Sequence, residues 1–118
     1  MDPPLARRHC EACTMGSQAL VDRDINRLLT HVTRWHRIQE EGVDKLRRSF
    51  HFPDFKQAFN YAFAIAALAE REDHHPVICV EWGKVTVTWW THKVRGLHEN
   101  DFIMAAKCDL VASRHQPA

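Results

Sequence analysis

Glycine is scarce. The four residues Gly16, Gly42, Gly83 and Gly96 are never clustered. A dinucleotide-binding fingerprint and a phosphate-cradling loop both need grouped glycines, so both are excluded. Net charge is scarce too: 16 Lys and Arg against 15 Asp and Glu leave +1. That balance argues against a broad electrostatic nucleic-acid footprint, though not against a small local patch. No apolar run approaches the roughly 20 residues that span a bilayer. The start, Met1-Asp-Pro-Pro-Leu-Ala-Arg-Arg, lacks the apolar stretch of a secretory signal. A cytoplasmic protein with no membrane contact is expected. Cysteine is limited to Cys10, Cys13, Cys79 and Cys108, and nothing points to the oxidising compartment a disulfide framework needs. Cys79 and Cys108 lie in apolar stretches and read as small buried hydrophobes. Cys10-Glu-Ala-Cys13, preceded by His9, has zinc or redox spacing. No second C-x-x-C or H-x-x-x-H accompanies it, so it reads as part of a loosely held N-terminal arm. What the chain does have is nine histidines, side chains that exchange protons near neutral pH.

A length of 118 residues predicts one domain. An irregular arm covers 1–18, a single domain 19–114 and a tail 115–118. Ile25, Leu28, Leu29 and Val32 recur at spacings of three and four, which predicts an amphipathic helix from Asp22 to Val32. Trp35–Glu40 and Val43–Phe52 are strand candidates about a turn at Gly42. Leu46, Phe50 and Phe52 share an inward parity that Arg48 interrupts. Pro53-Asp54 opens a long helix whose stretch Ala58–Ala69 is polar only at Asn60. A helix apolar nearly all round needs cover on more than one side. A second copy of the chain would supply it, so a homo-dimer or homo-tetramer is expected. Val77–Trp82 and Val85–His92 form a second hairpin, with Gly83-Lys84 as its two-residue turn. Asn100–Ser113 has helical spacing. The order α-β-β-α-β-β-α predicts an α+β fold, a four-stranded antiparallel sheet with three helices on one face.

Alternation along the last strand places Val85, Val87 and Trp89 on the core face and Thr86, Thr88, Trp90 and His92 on the other. His74 and His75 start the preceding strand. A tight hairpin therefore brings them to the end of the sheet where His92 lies. Glu70, four residues before His74, is placed to hydrogen-bond an imidazole. Adjacent residues in extended chain point apart, so His74 and His75 do not suit a shared metal, and no H-x-H or H-E-x-x-H is present. General acid–base chemistry competes with a set of plain surface and capping histidines.

Glu70-x-x-x-His74-His75-Pro76, then Trp82-Gly-Lys-Val-x-Val87, then Thr91-His92-x-x-x-Gly96-Leu97-x-x-x-Asp101-Phe102 resembles the pterin-4a-carbinolamine dehydratase family. Trp35 and Phe50-x-Phe52-x-x-Phe55 extend the likeness upstream. His9-Cys-Glu-Ala-Cys13 and Trp89-Trp90 resemble its bacterial members that work beside phenylalanine hydroxylase. The resemblance implies dehydration of a 4a-hydroxytetrahydropterin, left by aromatic amino-acid hydroxylation, to the quinonoid dihydropterin. No electrons move, so it implies no metal and no cofactor; the pterin is the substrate. It also implies a catalytic set of His74, His75, His92 and Glu70, with His74 and His92 as acid and base and His75 lining the pocket. Pro76 would shape the start of the strand, and Thr91, Lys93 and Val94 would surround the substrate. Glu70 would orient His74 or bond the pterin, and Asp101 would support the site or cap the third helix. Trp35 is either a pocket wall or a core aromatic. His98 departs from the Ser or Thr of many members, which weakens the expected helix cap. Trp90 replaces a small residue and would narrow the pocket. A second role, binding a regulatory protein partner through the oligomerising helix, is the alternative the family carries.

Overall fold

The computed structural model describes residues 4–11 and 17–115. Its elements are α1 (Asp22–Leu29), β1 (His36–Glu40), β2 (Val43–His51), α2 (Phe55–Glu72), β3 (Val77–Glu81), β4 (Lys84–Trp89) and α3 (Glu99–His115). Short 3₁₀ turns lie at Leu5–Arg7 and His92–Val94. The four strands form one antiparallel sheet in the order β1-β2-β4-β3. This is the α+β order expected. Helices α2 and α3 pack on the sheet, and α1 packs on α3.

The first hairpin turns at Glu41-Gly42, both with positive φ (53° and 76°). That is the mirror-image geometry that matches strand twist. The second turn falls at Trp82-Gly83, one residue earlier than expected, because Glu81 pairs with Lys84. Gly83 has φ +70°, and a Cβ there would meet the Phe52 carbonyl oxygen at 3.0 Å. Glycine is needed at the second turn position, not the first.

Leu46, Phe50, Val85, Val87 and Trp89 form the buried floor, and Ile25, Tyr61, Ile65, Phe102 and Met104 close over it. Arg48 keeps the inward parity because its guanidinium pairs with Asp109 of α3 and lies 4.2 Å over the Phe50 ring. Its stem packs while its charge is matched. Cys108 is buried as expected, and burial pushes its thiol up to about 12. Cys79 is exposed instead, because β3 is an edge strand that turns Ile78 and Val80 inward and Cys79 outward. Helix α1 stops at Leu29, short of Val32. The Thr30 hydroxyl bonds back to the Arg27 carbonyl oxygen (2.6 Å), and the chain leaves through a turn.

Helix α2 is capped at Asp54, whose carboxylate accepts from the Gln57 N–H (2.8 Å). It buries Ala58, Tyr61, Ala62, Ile65, Leu68 and Ala69 and leaves Phe55, Phe59 and Phe63 exposed along its outer side. Helix α3 is the one surrounded within the chain. Residues Asn100–Ala105 are all buried, with the arm, α1, α2 and the sheet around the helix.

Candidate active site

Helix α2 ends in a way that sets the site. Asp73 adopts the left-handed conformation (φ 51°), the Asp73 N–H reaches the Glu70 carbonyl and the His74 N–H reaches the Ala69 carbonyl. This closing pattern satisfies the last carbonyls and turns the chain sharply into His74. Pro76 then holds His75 extended at the start of β3.

At the far end of the hairpin, β4 stops at Trp89. The isolated bridge between Thr91 and Gly96 frames a 3₁₀ turn that carries His92, Lys93 and Val94. The strand was expected to run through His92. It ends earlier because Thr91 and Gly96 exchange both backbone hydrogen bonds (2.9 and 3.4 Å) and fold the chain back on itself.

Beneath these loops lies Asp101, fully buried in the first turn of α3. Its Oδ1 lies 2.6 Å from His74 Nε2. Its Oδ2 accepts from the Thr91 hydroxyl (2.8 Å) and the His98 N–H (2.9 Å). Two donors already converge on Oδ2, and a carboxylate oxygen accepts. His74 therefore places its Nε2–H on Asp101, and Nδ1 is left as an acceptor. The His74 ring also stacks on Trp89, with centroids 5.5 Å apart and planes 6° apart. Ring plane and tautomer are both fixed. The His92 ring lies 4.6 Å from that of Trp90, tilted by 42°, and Lys45 Nζ stands 4.0 Å over the Trp90 ring.

The cap in doubt is intact. His98 Nδ1 accepts from the Asn100 N–H (3.0 Å), while Asp101 takes the His98 N–H. An imidazole nitrogen does the work of a hydroxyl in a reciprocal capping arrangement.

An open pocket of about 420 Å³ is lined by His74, His75, His92, Thr91, Lys93 and Trp90, and also by Asp73, Glu72, Asn100, Cys10 and Glu11. The three expected histidines thus share one cavity. Asp101 supports it from below. Glu70 does not bond His74; its carboxylate lies 3.6 Å from His75 Nε2, both side chains being largely exposed. The helix ends before Glu70 and His74 can share a face, and Asp101 holds His74 instead. Glu70 and Pro76 border a neighbouring apolar depression with His75, Phe63 and Ile78. Val94 does not line the pocket. Trp35 is buried in the core, edge-on to Phe50, with its N–H donated to Asp109 (2.8 Å). It walls no part of this pocket.

Sequence reasoning missed Glu72, Asp73, Asn100, Cys10 and Glu11. The charged pair before His-His-Pro was a usable signal for the first two. Nothing in the periodicity links the arm to the pocket. Among the described residues no three His, Cys, Asp or Glu side chains converge to hold a metal ion. Cys13, half of the C-x-x-C spacing, lies outside the described residues.

Three imidazoles, one of them hydrogen-bonded to a buried carboxylate, thus share one pocket in an α-β-β-α-β-β-α frame. Residues 18–111 match the family model described as pterin 4 alpha carbinolamine dehydratase. A protein of Vibrio vulnificus strain YJ016 named for that dehydratase is 48% identical over 102 residues, covering 86% of this chain and 93% of its own. One from Marinobacter nauticus, similarly named, is 47% identical over 105 residues, covering 89% and 95%. A crystal structure titled transcriptional coactivator/pterin dehydratase, from Brucella melitensis, matches with TM-score 0.74 and 34% identity over 80% of this chain and 99% of that one. A pterin dehydratase-like protein identified as a RuBisCO assembly factor in the alpha-carboxysome matches with TM-score 0.57 and 25% identity, over 66% and 88%. The chain belongs to the pterin-4-alpha-carbinolamine dehydratase family.

Proposed function

We propose that this pocket removes water from a 4a-hydroxytetrahydropterin to give the quinonoid dihydropterin. The C4a–O bond breaks as its oxygen gains a proton, the N5–H proton leaves, and the N5 electron pair forms the C4a=N5 bond. One water departs and no electrons are transferred. The reaction thus needs one proton donor near the oxygen and one acceptor near N5. Imidazoles do both near neutral pH, each contributing about 10²–10⁴-fold. The observation that carries the reading is His74, fixed by Asp101, in the same cavity as His75 and His92. His74 and His92 are the acid and base in this reading, and His75, Thr91 and Lys93 hold the pterin. The arm motif and the tryptophan pair support work beside phenylalanine hydroxylase, in recycling its pterin.

Stopped-flow absorbance of the 4a-carbinolamine, formed by a coupled hydroxylase, tests this. His92→Ala is expected to cut the catalysed rate above background at least about 10²-fold, with folding intact. Wild-type turnover in that variant would overturn the assignment.

A second reading, contact with other chains, draws on a separate observation: Phe55, Phe59 and Phe63 stand exposed on α2, Phe63 at 69%. Isolated exposed apolar residues are ordinary, but three phenylalanines on one helix face mark an interaction surface. A second copy of this chain is the occupant we infer, giving a homo-dimer or homo-tetramer. The coactivator and assembly-factor titles of the two structural relatives are consistent with such a surface also meeting other proteins.

A further inference from the structure

The matched family region begins at residue 18, yet the cavity has a wall built from residues before it. Cys10 and Glu11 line the pocket. They are held there by a dense set of bonds. The Asn100 side chain grips the Glu11 backbone from both sides, accepting its N–H at 2.9 Å and donating to its carbonyl at 2.6 Å. Glu72 takes the Cys10 N–H at 2.9 Å on one carboxylate oxygen and meets His9 Nδ1 at 2.9 Å on the other. Further back, Arg8 pairs with Glu99, Lys107 donates to the Ala6 carbonyl (2.9 Å), and Leu5 packs on the core. An arm with no partners would leave these backbone groups to water. Here four of its six residues from Ala6 to Glu11 are tied to α2 or α3 by named atoms, besides Arg8.

We propose that residues Arg8–Glu11 are a fixed strap that completes the substrate pocket and fixes Glu72 as an anionic acceptor for ligand N–H groups. This rests on the functional reading above and deepens it. Glu72 is nearly buried, its side chain only 9% exposed. Burial opposes its charged form, but the Cys10 N–H, His9 and Lys107 together hold the carboxyl below its usual range. Each oxygen keeps a free lone pair. A reduced pterin offers several ring and amino N–H groups, the donors such a carboxylate recognises. Without the strap, Glu72 would lose the two contacts that aim it, and the pocket would lose one side. The strap's part is binding, not proton transfer, so KM carries its effect and kcat does not.

The test detaches the strap at residues that do not line the pocket. Leu5→Asp with Arg8→Glu removes the apolar anchor and sets like charge against Glu99. Binding of 7,8-dihydropterin, an unreactive reduced pterin, is measured by calorimetry, and turnover by stopped flow. The double variant is expected to bind about tenfold more weakly and to show a raised KM at near-wild-type kcat. In the wild type, the ligand is expected to slow hydrogen exchange at the Cys10 and Glu11 amides. Arg8→Ala alone removes the pair with Glu99 and keeps the Leu5 anchor, and is expected to shift KM in the same direction by a smaller amount at unchanged thermal stability, with Arg8→Lys restoring it. Unchanged affinity in the double and single variants, or amides indifferent to ligand, overturns the strap. A wild-type chain that binds no reduced pterin overturns the functional reading, and the strap with it.

Discussion

Replacing Asp101 by Asn isolates what the buried carboxylate does for His74. The shapes are nearly identical, so the side chain stays in place. The Oδ2 position takes two donors, the Thr91 hydroxyl and the His98 N–H. Only the amide oxygen can serve there. The amide nitrogen must then take the Oδ1 position, 2.6 Å from His74 Nε2, where it donates instead of accepts. His74 can satisfy it only by moving its own proton from Nε2 to Nδ1. The nitrogen left for the ligand becomes an N–H, and a base becomes a donor. If His74 takes the N5 proton, the rate falls by the contribution of one general base, about 10²–10⁴-fold. The stability cost is smaller. A charge-assisted network becomes a neutral one with every group still paired, a loss of about 1–2 kcal/mol. Stopped-flow turnover gives the rate, thermal unfolding the stability, and long-range ¹H–¹⁵N spectra of the imidazole the tautomer. A variant with the Nδ1–H tautomer and a wild-type rate would refute the role of His74 as base. A variant that keeps the Nε2–H tautomer would refute the chain of hydrogen bonds itself.

Two further outcomes follow from the same geometry. His98→Ala removes the acceptor for the Asn100 N–H and is expected to cost about 1 kcal/mol, whereas His98→Ser should cost little; equal thermal stability of both variants would show that the imidazole cap contributes nothing. Phe59→Glu with Phe63→Glu places two carboxylates on the exposed face of α2 and is expected to lower the molar mass seen by light scattering at constant helicity; a wild-type mass would rule that face out as the contact between copies.

The hairpins were legible because their pattern is local. Alternation put Val85, Val87 and Trp89 inward, and all three are buried. The meeting of His74, His75 and His92 followed from hairpin closure alone and tolerated a turn misplaced by one residue. The errors concern what happens at the ends of elements. Whether Glu70 could reach His74 depended on the helix ending at Glu72 with Asp73 left-handed, which a non-glycine residue does not advertise. Whether His92 lay on a strand depended on the Thr91–Gly96 bridge, a pairing outside any regular pattern. Trp35 was ambiguous because a tryptophan with one partner for its N–H suits a core or a pocket equally. The arm was opaque for a different reason: most of its contacts are hydrogen bonds between backbone and distant side chains, 62 to 101 positions apart in the chain, and no periodicity encodes these.

The core and the pocket meet at Trp89. Its indole lies on the floor of the core, completely buried, yet one ring face is the platform on which His74 lies parallel. Its buried Nε1 has the Cys108 sulfur of α3 as its neighbour. A phenylalanine would fill much of the same space. What the indole adds is the broad flat face. Asp101 fixes one nitrogen of His74 at a point, which alone leaves the ring free to rotate about that bond. Stacking opposes that rotation, and the platform is itself packed among the floor residues of β4 and β2. The precision that the proposed proton transfer requires is thus inherited from hydrophobic packing, with the buried carboxylate selecting the tautomer and the buried tryptophan selecting the plane.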